Sequence, residues 1–191
     1  MLSNAMNPVH AVFNGGRARA FLCRSRYVFV AAAFLFLAFQ VKRAWFFPGF
    51  CVAFFGELIQ VWSFASLEKN RVLATRGPYV LVRNPMYIGR FFLILGALMV
   101  TGHIWAAPAL AVLYYLYAVN RTKREERRLL ALFGDVYGEY CGKVRRFVPS
   151  LRAWERRSLF FFKWNLLIQN HGLQNMLATL GCFMVLYLFA V

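Results

Sequence analysis

The sequence predicts an all-α fold: a multi-pass transmembrane helical bundle of about five spans. Three observations carry that expectation. Hydrophobic residues fill 61% of the 191 positions and aromatic residues 18%, with a mean hydropathy of +0.51, whereas a soluble domain is nearer ~45–50% apolar. The apolar residues fall in long runs separated by basic clusters, which is the signature of membrane spans. And 21 of the 23 Lys and Arg residues share one side if five spans follow a cytoplasmic N-terminus, as the positive-inside rule requires. The chain is long enough for those spans and one small cytoplasmic region, but not for a separate soluble domain. Residues 1–191 therefore read as a single integral membrane domain.

The net charge of +16 would point to nucleic acid in a soluble protein. Here anionic headgroups and cytoplasmic loops account for it, and no nucleic-acid partner is expected. Cys23, Cys51, Cys141 and Cys182 show no C-x-x-C spacing, and His10, His103 and His171 no ligand spacing. Neither a disulfide framework nor a metal site is signalled. The N-terminus lacks the apolar core and cleavage site of a removable signal peptide.

Taken in order, residues 1–20 read as a flexible or surface-lying arm. Arg17, Arg19, Arg24 and Arg26 precede a first run, Tyr27 to Val41, which Lys42 and Arg43 lengthen by snorkelling. Pro48-Gly49 is expected to break the chain before a second run that continues to about Ser66 with Glu57 inside it. Glu57 either caps toward Lys42 or Arg43 or pairs internally. The third span runs from about Pro85 to Thr101, and a short turn at Gly102-His103 makes the fourth, Ile104 to Val119, its antiparallel neighbour. RTKREERRLLALF from Arg121 reads as a helix with Leu129, Leu130 and Phe133 on its apolar side, stopped by Gly134. An aromatic and basic loop is expected next. Residues 158–170 read as an interfacial helix, and residues 173–191 as the last span. No internal repeat is evident.

The chain is organised around RVLATRGPYVLVRNPMYIGRFFLILG, Arg71 to Gly96. It begins polar and basic, turns at Gly77-Pro78, passes Pro85 and becomes apolar: a surface loop feeding a buried helix. Tyr79, Arg83, Asn84 and Tyr87 then stand at the water–lipid boundary. The second cluster, from Arg121, emerges from the next span, and the two are expected to meet in one site. Arg121 and Glu125, four apart, share a helical face. A salt bridge on a solvated helix explains that pair, but a carboxylate so near apolar surface needs a partner. An aromatic belt with positive-inside arginines explains Tyr79, Tyr87 and Arg83 singly. It explains less well why GPY, RNP and Y-x-G fall together. Arg90, one turn inside the third span, either snorkels or points into the site beside Arg83 and Tyr87.

GPYVLVRNPMYIGRFFLILG, followed after a hairpin by EERRLLALFGDVYGEYCGKVRRFVP, resembles the isoprenylcysteine carboxyl methyltransferase family and its phospholipid methyltransferase relatives. The likeness covers about residues 70–150, with a methyltransferase-like core at 71–150. It implies an integral membrane enzyme with a cytoplasmic S-adenosylmethionine site, acting on a lipophilic or lipidated substrate. Residue by residue, it implies that Tyr79 lines the cofactor pocket and that Asn84, Pro85, Met86 and Tyr87 wrap the cofactor beside Arg83. Glu125 would bind the cofactor. Arg121 would face the acidic group of the acceptor, with Arg90 beside it. Val72, Leu73 and Ala74 would lie near the adenosine. Catalysis falls to Arg121 and Glu125. Asn84 departs from the histidine of better-known members. Asn hydrogen-bonds but does not titrate near neutral pH, so its expected role is cofactor binding.

The residue types suit that chemistry. Aromatic faces stabilise a sulfonium by about 0.5–2 kcal/mol. In-line methyl transfer to a carboxylate needs positioning and exclusion of water rather than a base. An amine acceptor needs a base, for which Glu125 or Glu126 is the candidate. This favours an acidic acceptor such as a prenylcysteine-type carboxylate. The alternatives are a phospholipid amine N-methyltransferase, an NADPH-dependent sterol-type reductase, whose usual R-H-P-N-Y differs from Arg83-Asn84-Pro85-Met86-Tyr87, and a non-enzymatic scaffold. No obligate protein partner is expected. The membrane would be the plasma membrane in a bacterium and the endoplasmic reticulum in a eukaryote.

Overall fold

A computed structural model of the chain describes residues 28, 31–32, 34–68, 72–150 and 156–190. The expected arm at 1–20, with His10, and also Cys23, Arg24, Arg26, Arg71 and residues 151–155, lie outside the described residues. Two units divide the chain between Gln40 and Val41. In the first, residues 34–39 are helical and the Gln40 N–H donates to the Leu37 carbonyl (3.0 Å) in a closing turn.

The second unit holds helices α1 (Arg43–Phe64), α2 (Pro85–Val100), α3 (Ala107–Lys143), α4 (Arg156–Leu159), α5 (Trp164–Gln169) and α6 (Gly172–Phe189), with 3₁₀ turns at Gly77–Val80 and Ile104–Ala106. The described residues contain no strand. α1 and α6 are long and apolar enough to cross a membrane, and α2 is a shorter apolar helix. Their apolar side chains point outward: Phe47 is 72% exposed, and Met184 and Leu188 are each 69% exposed. A helix buried in a soluble core would hide these groups, so this surface suits lipid.

α1 does not break at Pro48-Gly49 as expected. It starts at Arg43, after the extended Lys42, and carries Pro48 inside it. Pro48 is the sixth residue, so the Ala44 carbonyl loses its intrahelical N–H, yet the helix continues to Phe64, and Gly49 packs against α2. α1 and α2 run antiparallel with backbones in near contact. A methyl group on Gly56 would meet the Gly89 carbonyl oxygen, and one on Gly96 would meet that of Gly49. Both glycine pairs are spaced by seven, so they recur on one face two turns apart. Where lipid removes the hydrophobic drive between helices, such close approach is what holds them. Ala53, Val100 and Phe183 of α6 complete the seam with Phe46, Phe50 and Leu93 around them.

Between its two expected solutions, Glu57 adopts the internal one. It is 1% exposed and accepts a hydrogen bond from Thr179 Oγ1 of α6 at 3.1 Å.

α3 differs most from expectation. Gly134 does interrupt it, with φ 51° and ψ −129°, but the chain resumes helix through Lys143. The expected loop over Asp135–Lys143 is therefore helical. Turning the chain at Gly134 lets Tyr140 fold back, where its hydroxyl donates to the Tyr79 carbonyl (2.6 Å). The interfacial helix expected at 158–170 is likewise broken, since residues 160–163 leave the helix. The Phe161 carbonyl instead accepts from Ser66 Oγ (3.0 Å) and Trp62 Nε1 (3.3 Å).

The ends of the bundle differ in charge. The Lys42 N–H donates to the Val100 carbonyl (3.0 Å), so the start of α1 adjoins the end of α2. At the other end, Asn170 Nδ2 donates to the Phe64 (2.9 Å) and Leu67 (2.7 Å) carbonyls, tying α1 to the entry of α6. Arg83, Arg121 and Arg146 all gather at this second end.

The glycine seam sets a stability test. Gly56→Leu is expected to lower the unfolding temperature of the detergent-purified protein, at a cost of at least about 1–3 kcal/mol for overpacking. Gly181→Ala, where an added methyl meets nothing within 4 Å, is expected to leave it unchanged or slightly raised. Equal effects would contradict the seam.

Candidate functional site

The loop before α2 takes its shape from Gly77, whose φ of +63° suits glycine and whose missing side chain would strike Ser66. Pro78 opens the short 3₁₀ turn and Pro85 opens α2, the position where a missing N–H costs nothing. The loop is then clamped from outside. Arg83 N–H donates to the Arg145 carbonyl (2.9 Å), and Ser150 N–H donates to the Leu81 carbonyl (2.8 Å). This pairing carries the basic pair Arg145-Arg146 back to the loop.

Arg146 lands on Glu126. Its Nε donates to Glu126 Oε1 at 3.0 Å, and Nη2 donates to Oε2. Arg83 Nη2 stands 3.6 Å from the same carboxylate, and Arg83 Nη1 donates to Cys141 Sγ. The Glu126 side chain is only 13% exposed. Burial works against its charge. The Arg146 hydrogen bonds and the Arg83 and Arg146 charges outweigh that and hold its pKa below the usual carboxylate value. Asn84 sits beside this network, but its Nδ2 makes no hydrogen bond within the protein and is buried.

Glu125, the neighbouring acid, points elsewhere. Its Oε1 accepts from the Tyr87 hydroxyl (2.9 Å) and lies 3.3 Å from Arg121 Nε. A cavity of about 320 Å³ is lined by Leu67, Tyr79, Arg83, Asn84, Pro85, Met86, Tyr87, Glu125, Arg128 and Leu129. Tyr79 is 7% exposed. Burial, aided by the Glu125 charge, pushes its hydroxyl well above the ordinary tyrosine pKa, so it stays neutral. The walls thus join both clusters singled out in the sequence.

Other candidates sit around this cavity rather than on its walls. Val72, Leu73 and Ala74 line a neighbouring one with Ser66, Glu68, Arg76 and Phe161. Arg121 reaches the wall through Glu125. Arg90 lies over the Tyr87 ring, 5.5 Å from its centroid. A third cavity, apolar and about 210 Å³, lies between α2 and α3 and shares Tyr87 as a wall, with Phe91, Tyr114 and Phe147 among its lining. Tyr114 Oη donates to the Tyr87 carbonyl (2.7 Å), pinning the two helices there.

Sequence reasoning missed Glu126 as an anchor and Arg146 as its partner. The available signal was periodicity: adjacent residues on a helix point about 100° apart, so two adjacent glutamates readily take different partners.

Glu126 gives a pH test with a defined sign. Its folded pKa lies below its ordinary value of 4.5. The stability it contributes is therefore full above that value and is lost as pH falls through the lowered folded one. The unfolding temperature is expected to drop on acidification in that range, and Glu126→Gln to lower it at neutral pH while flattening the acid slope. Parallel slopes would contradict the anchor.

Known proteins now bear on this geometry. A phospholipid methyltransferase family model matches residues 30–136, more than half of the chain. The protein-S-isoprenylcysteine O-methyltransferase of Schizosaccharomyces pombe is 33% identical over 84 residues, which is 44% of this chain and 36% of that protein. The enzyme of the same name from Tribolium castaneum is 25% identical over 119 residues, 56% of this chain and 42% of its own. The chain thus spans less than half the length of these relatives. The cobalt-zinc-cadmium resistance protein CzcN of Cupriavidus metallidurans is 29% identical over 178 residues, 83% of this chain and 79% of its own. No solved structure matches. With the loop, the cavity and both clusters inside the matched stretch, the chain belongs to the phospholipid methyltransferase family.

Proposed function

We propose that this protein is an integral membrane S-adenosylmethionine-dependent methyltransferase acting on a lipid or lipid-linked acceptor. One observation carries the reading: a polar cavity walled by both Tyr79–Tyr87 and Glu125–Leu129 shares the Tyr87 ring with an apolar cavity between helices. A water-soluble donor and a greasy acceptor need that adjacency. Family membership favours this reading over the reductase and the scaffold.

The walls of the polar cavity fit the donor in kind. Asn84 Nδ2 and Arg83 Nε are buried donors without a partner in the protein, and buried donors left unmatched are costly. They suit the carboxylate and ribose oxygens of the cofactor. The Glu125 carboxylate suits its ammonium or hydroxyls. The Tyr79 and Tyr87 rings suit a soft cation. When bound, S-adenosylmethionine would supply an activated methyl group.

The residues of the chain do the rest. Glu125 fixes the Tyr87 hydroxyl and is itself steadied by Arg121. Glu126 is committed to Arg146 and Arg83, which leaves Glu125 to face the cavity. Tyr79, buried and neutral, keeps water from one wall. This arrangement positions reactants and excludes solvent. Of the two candidate bases, Glu126 is held by Arg146 and Arg83, and Glu125 is engaged by Tyr87 and Arg121, which supports a carboxylate acceptor over an amine. We further propose five spans, with the basic end of the bundle and the N-terminus on the cytoplasmic side, and Val72–Ala74 near the adenosine.

The test is binding of labelled S-adenosylmethionine to the detergent-purified protein. Micromolar binding is expected. Glu125→Gln is expected to weaken it on the order of tenfold to a hundredfold, the range for hydrogen bonds to charged groups. Tyr87→Ala is expected to weaken it by more than Tyr87→Phe, which keeps the ring. Absence of binding by folded wild type would overturn the reading.

A further inference from the structure

The tail from Arg156 lies beyond the family-matched stretch, yet it folds onto the end of the bundle that holds the site. The Phe161 carbonyl takes the Ser66 and Trp62 donors, the Lys163 N–H donates to the Ala65 carbonyl (3.0 Å), and Lys163 Nζ pairs with Glu68 (3.3 Å). Leu167 is buried against Phe64 and Ala65, with Met86 packed beside them. The run of three phenylalanines then divides. Phe160 is 75% exposed and Phe162 40%, while Phe161 is turned onto a cavity. The Arg76 guanidinium stands 5.3 Å and Lys163 Nζ 5.2 Å from the Phe161 ring centroid, so the ring is held in place.

That cavity, about 310 Å³, neighbours the polar one. Ser66 and Glu68 on its wall flank Leu67, which lines the polar cavity, so one short stretch of chain separates the two. Val72 to Thr75 form another wall. They run outside any helix, and none of their N–H or carbonyl groups hydrogen-bonds among the described residues. Backbone donors and acceptors need partners, in water or in a ligand. Beside a fixed aromatic ring, such an unused edge suits a flat heterocycle that carries its own donors and acceptors along one side. A purine is that kind of group.

We propose that Phe161 is a cofactor-binding residue: its ring and the Val72–Thr75 backbone hold the adenine of S-adenosylmethionine, while the polar cavity takes the ribose and the methionine end. This rests on the methyl-transfer reading above and adds a residue from a segment that the family match does not reach. It also gives the tail a task, because its docking on the end of α1 completes the cofactor site.

The test uses the full-length protein in detergent micelles, with labelled S-adenosylmethionine as ligand and its adenosine-end fragment, 5′-methylthioadenosine, as competitor. Wild type is expected to bind both. Phe161→Leu keeps apolar bulk and removes the ring. It is expected to weaken both ligands by a like factor of about fivefold or more, the range for a lost base-stacking side chain. Phe161→Tyr, which keeps the ring, is expected to stay within about twofold of wild type. Both substitutions leave the carbonyl that Ser66 and Trp62 hold, so the tail stays docked, and unchanged melting temperatures check this. A Phe161→Leu protein that binds both ligands like wild type, or that loses S-adenosylmethionine but keeps the fragment, would overturn the proposal. So would a Phe161→Tyr protein as weak as Phe161→Leu, or a wild type that binds S-adenosylmethionine but not the fragment. A wild type that binds neither sinks the methyl-transfer reading itself, so the two failures are distinguishable.

Discussion

The grip of Arg146 and Arg83 on Glu126 is the constraint on which the site depends. It joins three stretches far apart in sequence: the loop before α2, the polar length of α3, and the basic pair after α3. It also settles the orientation of α3. With Glu126 turned to the arginines, helical geometry turns Glu125 about 100° away, onto the Tyr87 hydroxyl and the cavity. An adjacent pair of acids thus divides its work, one holding the walls together and the other forming part of them. A largely buried carboxylate with two arginines is not in itself a large source of stability. Its value here is register, since removing any partner would leave a largely buried charge without its counter-charge.

The glycine seam performs the corresponding task inside the bundle. Gly49 and Gly56 of α1 meet Gly96 and Gly89 of α2 at backbone distance, which fixes the depth of α2 in the bundle. Pro85, Tyr87 and Arg90 all sit in the first two turns of that helix. The seam therefore decides how far Tyr87 stands from α3, and so whether its hydroxyl can reach Glu125. Packing at one end of the helix pair and ion pairing at the other converge on a single aromatic side chain.

Much of this was legible in the sequence. Composition and basic clusters gave a helical membrane class, and GPY with RNPMYIG marked the loop and the start of α2 nearly to the residue. The meeting of Tyr87 with Glu125 was also readable, because two polar clusters flanking an antiparallel hairpin must end at one face. Three features were not. Pro48 reads as a breaker by local rules, yet the helix runs through it to Phe64 and Gly49 serves a neighbouring helix. Gly134 reads as a stop, yet a single left-handed residue bends a helix that tertiary contacts such as Tyr140 on Tyr79 then restore. The anchoring role of Glu126 depends on where Arg146 arrives, twenty residues later and after that bend, which no local pattern encodes.

The central claim is that residues from two distant stretches wall one cofactor cavity. Photo-crosslinking of labelled S-adenosylmethionine to the full-length protein, followed by peptide mapping, tests it most directly. The account predicts label on both the peptide holding Tyr79 to Tyr87 and the peptide holding Glu125 to Leu129. Label on one of them alone, or confined to residues outside both, would contradict it.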